Sequence, residues 1–197
     1  MVTQGKAWLD TLLEANAAFQ RRLHVDKLPV QREPYPSAII TCMDPRVNLE
    51  AFGIPSFTAD GAAHSQVRVM RTIGAMSDSR SLIIGIHLAG FKEIALIAHT
   101  DCGCCLAFER IDTIISNMQN TLRDEQWRSM QEHIGEPLRA NLMKMLKVFQ
   151  DPRDAVKAEI HFLRQQPFIP NELIFHGLLY ELATGHLEVV VNGYENL

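Results

Sequence analysis

The sequence carries no excess of positive charge: 19 Lys and Arg against 23 Asp and Glu leave a formal net charge of −4. A nucleic-acid or anionic-membrane partner calls for a basic patch, so neither is expected. No apolar run approaches the roughly 18 residues of a membrane span. The start, Met1-Val2-Thr3-Gln4-Gly5-Lys6, lacks a charged region followed by an apolar core. It reads neither as a signal peptide nor as an Arg-rich transit peptide, and the expected location is the cytoplasm. Cysteine is scarce: four residues are too few for a disulfide framework in 197. Three of them cluster at Cys102, Cys104 and Cys105, which points to metal or thiol chemistry instead. Internal repeats, low-complexity tracts and linkers are also missing. What remains, 47% apolar and 21% charged residues, is the composition of an ordinary globular chain. Its length suits one domain that buries about 70% of the surface its unfolded chain would expose.

Trp8, Leu12, Leu13, Ala15 and Phe19 form a helix-like stripe, predicting an N-terminal helical arm over 3–22. Pro29, Pro34 and Pro36 impose an extended connector. Ser37-Ala38-Ile39-Ile40-Thr41 is short, apolar and β-branched, a buried strand that runs into Cys42-Met43-Asp44-Pro45-Arg46. A polar, Gly-containing stretch follows to about Ser65, and Gln66 to Met70 alternates as a second strand. Ser77, Asp78 and Ser79 offer N-caps for a helix with Leu82, Ile83, Ile86 and Ala89 on its apolar face, stopped by Gly90. Ile94 to Ala98 is a third buried strand, ending at His99-Thr100-Asp101-Cys102-Gly103. Residues 105–166 are helical in pattern, broken near Gly135-Glu136-Pro137 and Asp151-Pro152, and Pro167 and Pro170 end them. Leu173 to Tyr180 and His186 to Val191 read as two strands joined through Thr184-Gly185. Strands alternating with helices predict an α/β fold, a mostly parallel central sheet with an antiparallel edge strand, flanked by helices. We expect a single α/β domain over 1–197 that includes the 105–166 segment.

Two chemically loaded segments stand at the carboxyl ends of predicted strands, where open α/β sheets bind ligands. One offers Cys42, Asp44 and Arg46; the other offers His99 and Cys102. Taken singly, a Cys at a strand end is commonly a small buried residue, and Asp-Pro-Arg is commonly a turn. Taken together, two thiolates and an imidazole are preferred zinc ligands, and three of them leave a fourth tetrahedral position for water. Two thiolates cancel the charge of the ion, so such a zinc acidifies water less than one held by neutral histidines. A carboxylate could compensate by accepting a hydrogen bond from the water. Asp44 can serve so or take the fourth position itself, and Arg46 could hold it in a two-pronged ion pair.

Cys42-x-Asp44-x-Arg46 and His99-x-x-Cys102-Gly103 resemble the paired signature of the β-class carbonic anhydrases, and the spacing between them fits. Ile40-Thr41-Cys42-Met43-Asp44, Ala98-His99-Thr100-Asp101-Cys102-Gly103 and the stretch from Gly177 to Leu187 are similar to the family's compact, archaeal-like branch. That branch also includes carbonyl sulfide and carbon disulfide hydrolases. The resemblance covers most of the chain. It implies a Zn2+ held by Cys42, His99 and Cys102, a catalytic Asp44–Arg46 dyad, and homodimers or homotetramers. The implied activity is hydration of carbon dioxide to bicarbonate by hydroxide on zinc. The alternative is hydrolysis of carbonyl sulfide or carbon disulfide, releasing hydrogen sulfide on the same core. Two departures bear on the substrate. The usual serine between Asp and Arg is Pro45, and the family's Arg-Asn-Ala-Gly stands here as Arg71-Thr72-Ile73-Gly74. The second change is expected to reshape the pocket wall or the dyad's support. Candidates for an apolar wall are Met43, Val69, Met70, Ile73, Met76 and Leu106, most of which core packing also explains.

A third reading is a thiol redox or metal-sensing protein, since Cys102-Gly103-Cys104-Cys105 contains Cys-x-x-Cys after a strand. It leaves Cys42, Asp44 and Arg46 without a role, and Cys104 and Cys105 read as buried thiols at a helix start. His24, His64, His87, His133, His161, His176 and His186 show no ligand spacing. The Met-rich stretch Leu142, Met143, Met145 and Leu146 reads as core.

Overall fold

Short β-branched runs bounded by polar turns form the strands, as their pattern requires. A computed structural model describes residues 4–22, 36–54 and 67–196. The chain divides into two units, Met1–Glu33 with Leu49–Gln66, and Pro34–Asn48 with Val67–Leu197. The first unit contains helix α1 (Gln4–Arg22) and a short 3-10 turn, Leu49–Phe52. Trp8, Leu12 and Leu13 of α1 are exposed. The proline connector up to residue 35, the polar stretch from residue 55, Gln66, His24 and His64 lie outside the described residues.

The second unit is built on five strands: β1 (Ser37–Cys42), β2 (Val67–Thr72), β3 (Glu93–His99), β4 (Ile174–Tyr180) and β5 (Leu187–Val191). Their order is β2-β1-β3-β4-β5, parallel except for β5, which pairs antiparallel with β4 at the edge. Cys42 is in register with Thr72, and Thr41 with Ile97. The chain passes from β1 to β2 on one side and from β3 to β4 on the other. Connections leaving the carboxyl ends of the adjacent β1 and β3 therefore diverge, the topological switch point at which α/β sheets place ligands.

Helix α2 (Ser79–His87) starts where the caps predict, with the Asp78 carboxylate accepting from the Ser81 N–H at 3.0 Å. The helical segment resolves into α3 (Gly103–Glu109), α4 (Ile111–Thr121), α5 (Asp124–Ile134), α6 (Leu138–Leu146) and α7 (Pro152–Arg164). Two of its breaks fall at the predicted Gly135-Glu136-Pro137 and Asp151-Pro152. Two more fall at Arg110 and Leu122, whose backbone leaves the helical region without a Gly or Pro to signal it. Among the described residues no helix is long and apolar enough to cross a membrane.

The core lies between one face of the sheet and helices α2 and α7. Ile40, Ile94, Leu96, Phe175 and Leu179 meet Leu82, Val156, Ile160 and Leu163 there. Each such side chain stabilises the fold by roughly 1.5–3 kcal/mol. Helix α7 approaches β4 closely because residue 177 is glycine: a Cβ there would stand 2.5 Å from Val156 Cγ1. Glu159 of α7 is buried with its charge matched. It accepts from Lys147 Nζ at 2.9 and 3.0 Å and from the Ser77 N–H at 3.0 Å, tying α7 to the end of α6 and the segment before α2.

Candidate metal centre

Cys42 is the last residue of β1 and His99 the last of β3, while Cys102 caps α3. All three are buried, and their donor atoms lie within 4.8 Å of one another. The two sulfurs are 4.0 Å apart. A tetrahedral zinc with Zn–S bonds of about 2.3 Å would set them about 3.8 Å apart. His99 Nδ1 donates to the Thr100 carbonyl at 2.8 Å, which leaves Nε2 as the acceptor. That Nε2 is fully buried and has no hydrogen-bond partner. Leaving a buried polar atom unsatisfied costs about 1–3 kcal/mol, a cost that an ion bound at Nε2 removes. Thr41 donates to the Ile97 carbonyl at 2.9 Å and fastens β1 to β3 just behind the donors. The hydrogen bond with Cys102, and then burial, push the Cys42 thiol up to about 11. Cys102 is also raised, first by its hydrogen bond with Cys104. Without metal both are neutral thiols at pH 7, and a cation must displace their protons. The soft donor set, its spacing and the open imidazole nitrogen fit zinc.

Asp44 lies beside this triangle, with Oδ2 4.0 Å from His99 Nε2. Arg46 grips it with Nε on Oδ1 at 3.0 Å, Nη2 on Oδ2 at 2.8 Å and its backbone N–H on Oδ1 at 2.9 Å. These bonds, the side-chain ones foremost, hold the Asp44 carboxyl well below the usual range. Pro45 does not disturb the pair. The Val47 N–H bonds the Asp44 carbonyl at 3.2 Å, so Pro45 takes the second position of a turn that suits its fixed φ.

Two residues to which the sequence gives no role hold this loop. Arg71 donates to the carbonyls of Cys42 (3.0 Å), Asp44 (2.6 Å) and Val47 (3.2 Å). Asp101 meets the adjacent edge of the Arg46 guanidinium, with Nη1 to Oδ2 at 2.6 Å and Nη2, shared with Asp44, to its carbonyl at 2.9 Å. The one signal in the sequence was a charged residue beside each strand-end motif. Thr72, by contrast, turns its hydroxyl to the Met76 carbonyl and closes its own turn, so the dyad's support comes from its neighbour Arg71. Gly74 follows at φ +66, where a Cβ would stand 2.7 Å from Cys104 Sγ and 2.9 Å from Phe149 Cε1. Cys104 is thus a buried thiol packed under this turn. Of the six wall candidates, Met70 packs against the core and Val69 pairs with Ile39 inside the sheet. Met43, Ile73 and Leu106, each following the end of a different strand, are exposed. His87 is engaged by the Phe168 carbonyl, His161 by Gln165 and His176 by Glu93.

A family model described as carbonic anhydrase matches residues 37–187, from the first residue of β1 to the first of β5. The chain belongs to the carbonic anhydrase family. It is 28% identical over 157 residues to beta-carbonic anhydrase 1 of Mycobacterium bovis, covering 78% of this chain and 80% of that protein. It is 29% identical over 155 residues to a carbon disulfide hydrolase of Acidithiobacillus thiooxidans, covering 76% and 74%. Among solved structures, a β-carbonic anhydrase of Trichomonas vaginalis superposes with a TM-score of 0.72 at 26% identity, covering 98% of this chain and 100% of the other. The family thus spans two named chemistries close to this chain, and its β-class members share the fold.

Proposed function

We propose that this member of the family is a zinc-dependent carbonic anhydrase that hydrates carbon dioxide to bicarbonate. The observation that carries the reading is the buried, unpartnered His99 Nε2 facing two cysteine sulfurs beside a carboxylate already gripped by an arginine. Cys42, His99 and Cys102 would hold the ion. Zinc bound there acts as a Lewis acid that lowers the pKa of water and supplies a nucleophile near neutral pH. Asp44, kept ionised by Arg46, presents an acceptor on the His99 side of the triangle. It accepts a hydrogen bond from the attacking water and turns an oxygen lone pair toward the carbon of the substrate. Arg46 keeps that carboxylate charged and aimed. Arg71 keeps the loop that carries both in place through three carbonyls.

A second reading has its own support. Hydrolysis of carbonyl sulfide or carbon disulfide asks the same groups to attack a linear electrophilic carbon, with hydrosulfide departing. It is favoured by the carbon disulfide hydrolase among the relatives and by the exposed Met43, Ile73 and Leu106, which suit a substrate that makes no hydrogen bonds. The thiol redox reading has less support. The sulfur of Cys102 faces Cys42, and burial, ahead of neighbouring charges, pushes the Cys105 thiol up to about 11, away from a reactive thiolate. We further propose a homodimer or homotetramer in the cytoplasm, for which Ile83, Ile84 and Leu88 supply an exposed apolar face.

Parallel assays of zinc-loaded protein with carbon dioxide, carbonyl sulfide and carbon disulfide decide between the two chemistries. We expect the highest kcat/KM on carbon dioxide. A much larger value on either sulfur compound reverses the order.

A further inference from the structure

The guanidinium of Arg46 is shared between two carboxylate residues. It faces Asp44 through Nε (3.0 Å) and Nη2 (2.8 Å), and Asp101 through Nη1 on the carboxylate (2.6 Å) and Nη2 on the main-chain carbonyl (2.9 Å). Arg46 follows Cys42 by four residues, and Asp101 stands between His99 and Cys102. One side chain therefore joins the two segments that bear the metal donors. Asp101 adopts φ +54, a left-handed backbone that residues with side chains enter at a cost and that Asp tolerates better than most. In that conformation its carbonyl and its carboxylate both meet Arg46. The side chains of Arg46 and Asp101 are 51% and 82% exposed. Exposed ion pairs add little to stability, so stability is a poor reason for a strained residue at this place.

We infer that Asp101 is a positioning residue for the Asp44–Arg46 dyad. It holds Arg46 along the edge next to the one that Asp44 takes, fixes the plane of the guanidinium, and so sets the direction in which Asp44 Oδ2 faces His99 Nε2. Held by Asp44 alone, the arginine and its carboxylate can swing together about their own rotatable bonds. Held along two edges, the pair keeps one orientation. The catalytic consequence rests on the hydration reading, whereas the geometric claim does not.

The test compares Asp101→Gly and Asp101→Asn in the zinc-loaded full chain. Glycine keeps the left-handed backbone and the main-chain acceptor but removes the carboxylate. Asparagine keeps an acceptor oxygen and loses the charge. Asp101→Gly is expected to lower kcat by about tenfold with KM and zinc content unchanged, and asparagine to restore part of the loss. The melting temperature should stay level or rise, because glycine relieves the positive φ. In an Arg46→Ala background the Asp101→Gly change should add no further loss. Independently of turnover, 15N NMR of the Arg46 Nε–H should show solvent exchange several-fold faster in Asp101→Gly than in the parent chain. Unchanged kcat together with unchanged exchange overturns the inference, as does an equal further loss in the Arg46→Ala background. If the parent chain hydrates or hydrolyses none of the three substrates, the hydration reading fails, and the NMR comparison still decides whether Asp101 holds Arg46.

Discussion

His99 and His176 stand on adjacent parallel strands, towards opposite ends of one sheet, and their surroundings differ in one respect. His176 Nε2 donates to Glu93 at 2.8 Å, its Nδ1 accepts the Gly193 N–H at 3.1 Å, and its ring meets Tyr194 edge-on at 4.6 Å. The Tyr194 hydroxyl donates to the same Glu93 oxygen. Every nitrogen there is spoken for. His99 is more deeply buried, yet only Nδ1 is bonded, and Nε2 faces two sulfurs. A buried polar group is normally satisfied within the protein, so the closed cluster reads as structural, whereas the open one keeps a donor that could bind a metal. The carboxylates follow suit: Glu93 is enclosed by its partners, whereas Asp44 is gripped on one side and faces the donor triangle on the other.

The strongest way to break this contrast is to remove a donor from the open cluster. Cys42→Ser should lose zinc and at least about 10³-fold of turnover, while His176→Gln keeps its zinc, by metal analysis of purified protein alongside the assay. Full zinc retention in Cys42→Ser would dissolve the distinction. Next in size, Asp44→Asn should keep the metal and lose about 10²-fold in kcat. An untouched rate there would remove the dyad from the chemistry.

Metal binding itself sharpens the comparison through its dependence on pH. The Cys42 thiol sits at about 11 and Cys102 is raised as well, so both carry protons across the neutral range in the metal-free protein. Zinc must displace them, and its apparent affinity should therefore rise with pH, by up to about tenfold per displaced proton per pH unit. Calorimetry in buffers of different ionisation enthalpy should count about two protons released per zinc at pH 7. Release of none would mean that the thiols are not the ligands. The smallest effect belongs to the closed cluster. Tyr194→Phe should lower stability slightly in urea denaturation and leave kcat unchanged. Glu93 is held below its ordinary value, first by the Tyr194 hydroxyl. Its share of stability is therefore full above about pH 4.3 and is lost as the pH falls through the depressed value.

Much of this architecture was legible beforehand because it rests on local pattern. Ile39-Ile40-Thr41 and Ile94 to Ala98 are apolar on both faces, as strands of a parallel sheet must be, and they ended where soft donors began. The paired Cys42 and His99 motifs fixed the switch point for the same reason. Long-range polar contacts leave no such trace. That Arg71 reaches three carbonyls on the loop after β1, or that Asp101 turns left-handed to meet Arg46, depends on strand register and on one φ angle. The meaning of Thr72 was hidden likewise, since its hydroxyl bonds within its own turn rather than towards the dyad. The breaks at Arg110 and Leu122 have no Gly or Pro to announce them.

X-ray absorption at the zinc edge, on protein loaded with one equivalent, tests the donor triangle most directly. We expect two sulfurs at about 2.3 Å and two lighter donors at about 2.0–2.1 Å, one of them imidazole. A shell of three or four sulfurs, or of none, would contradict it.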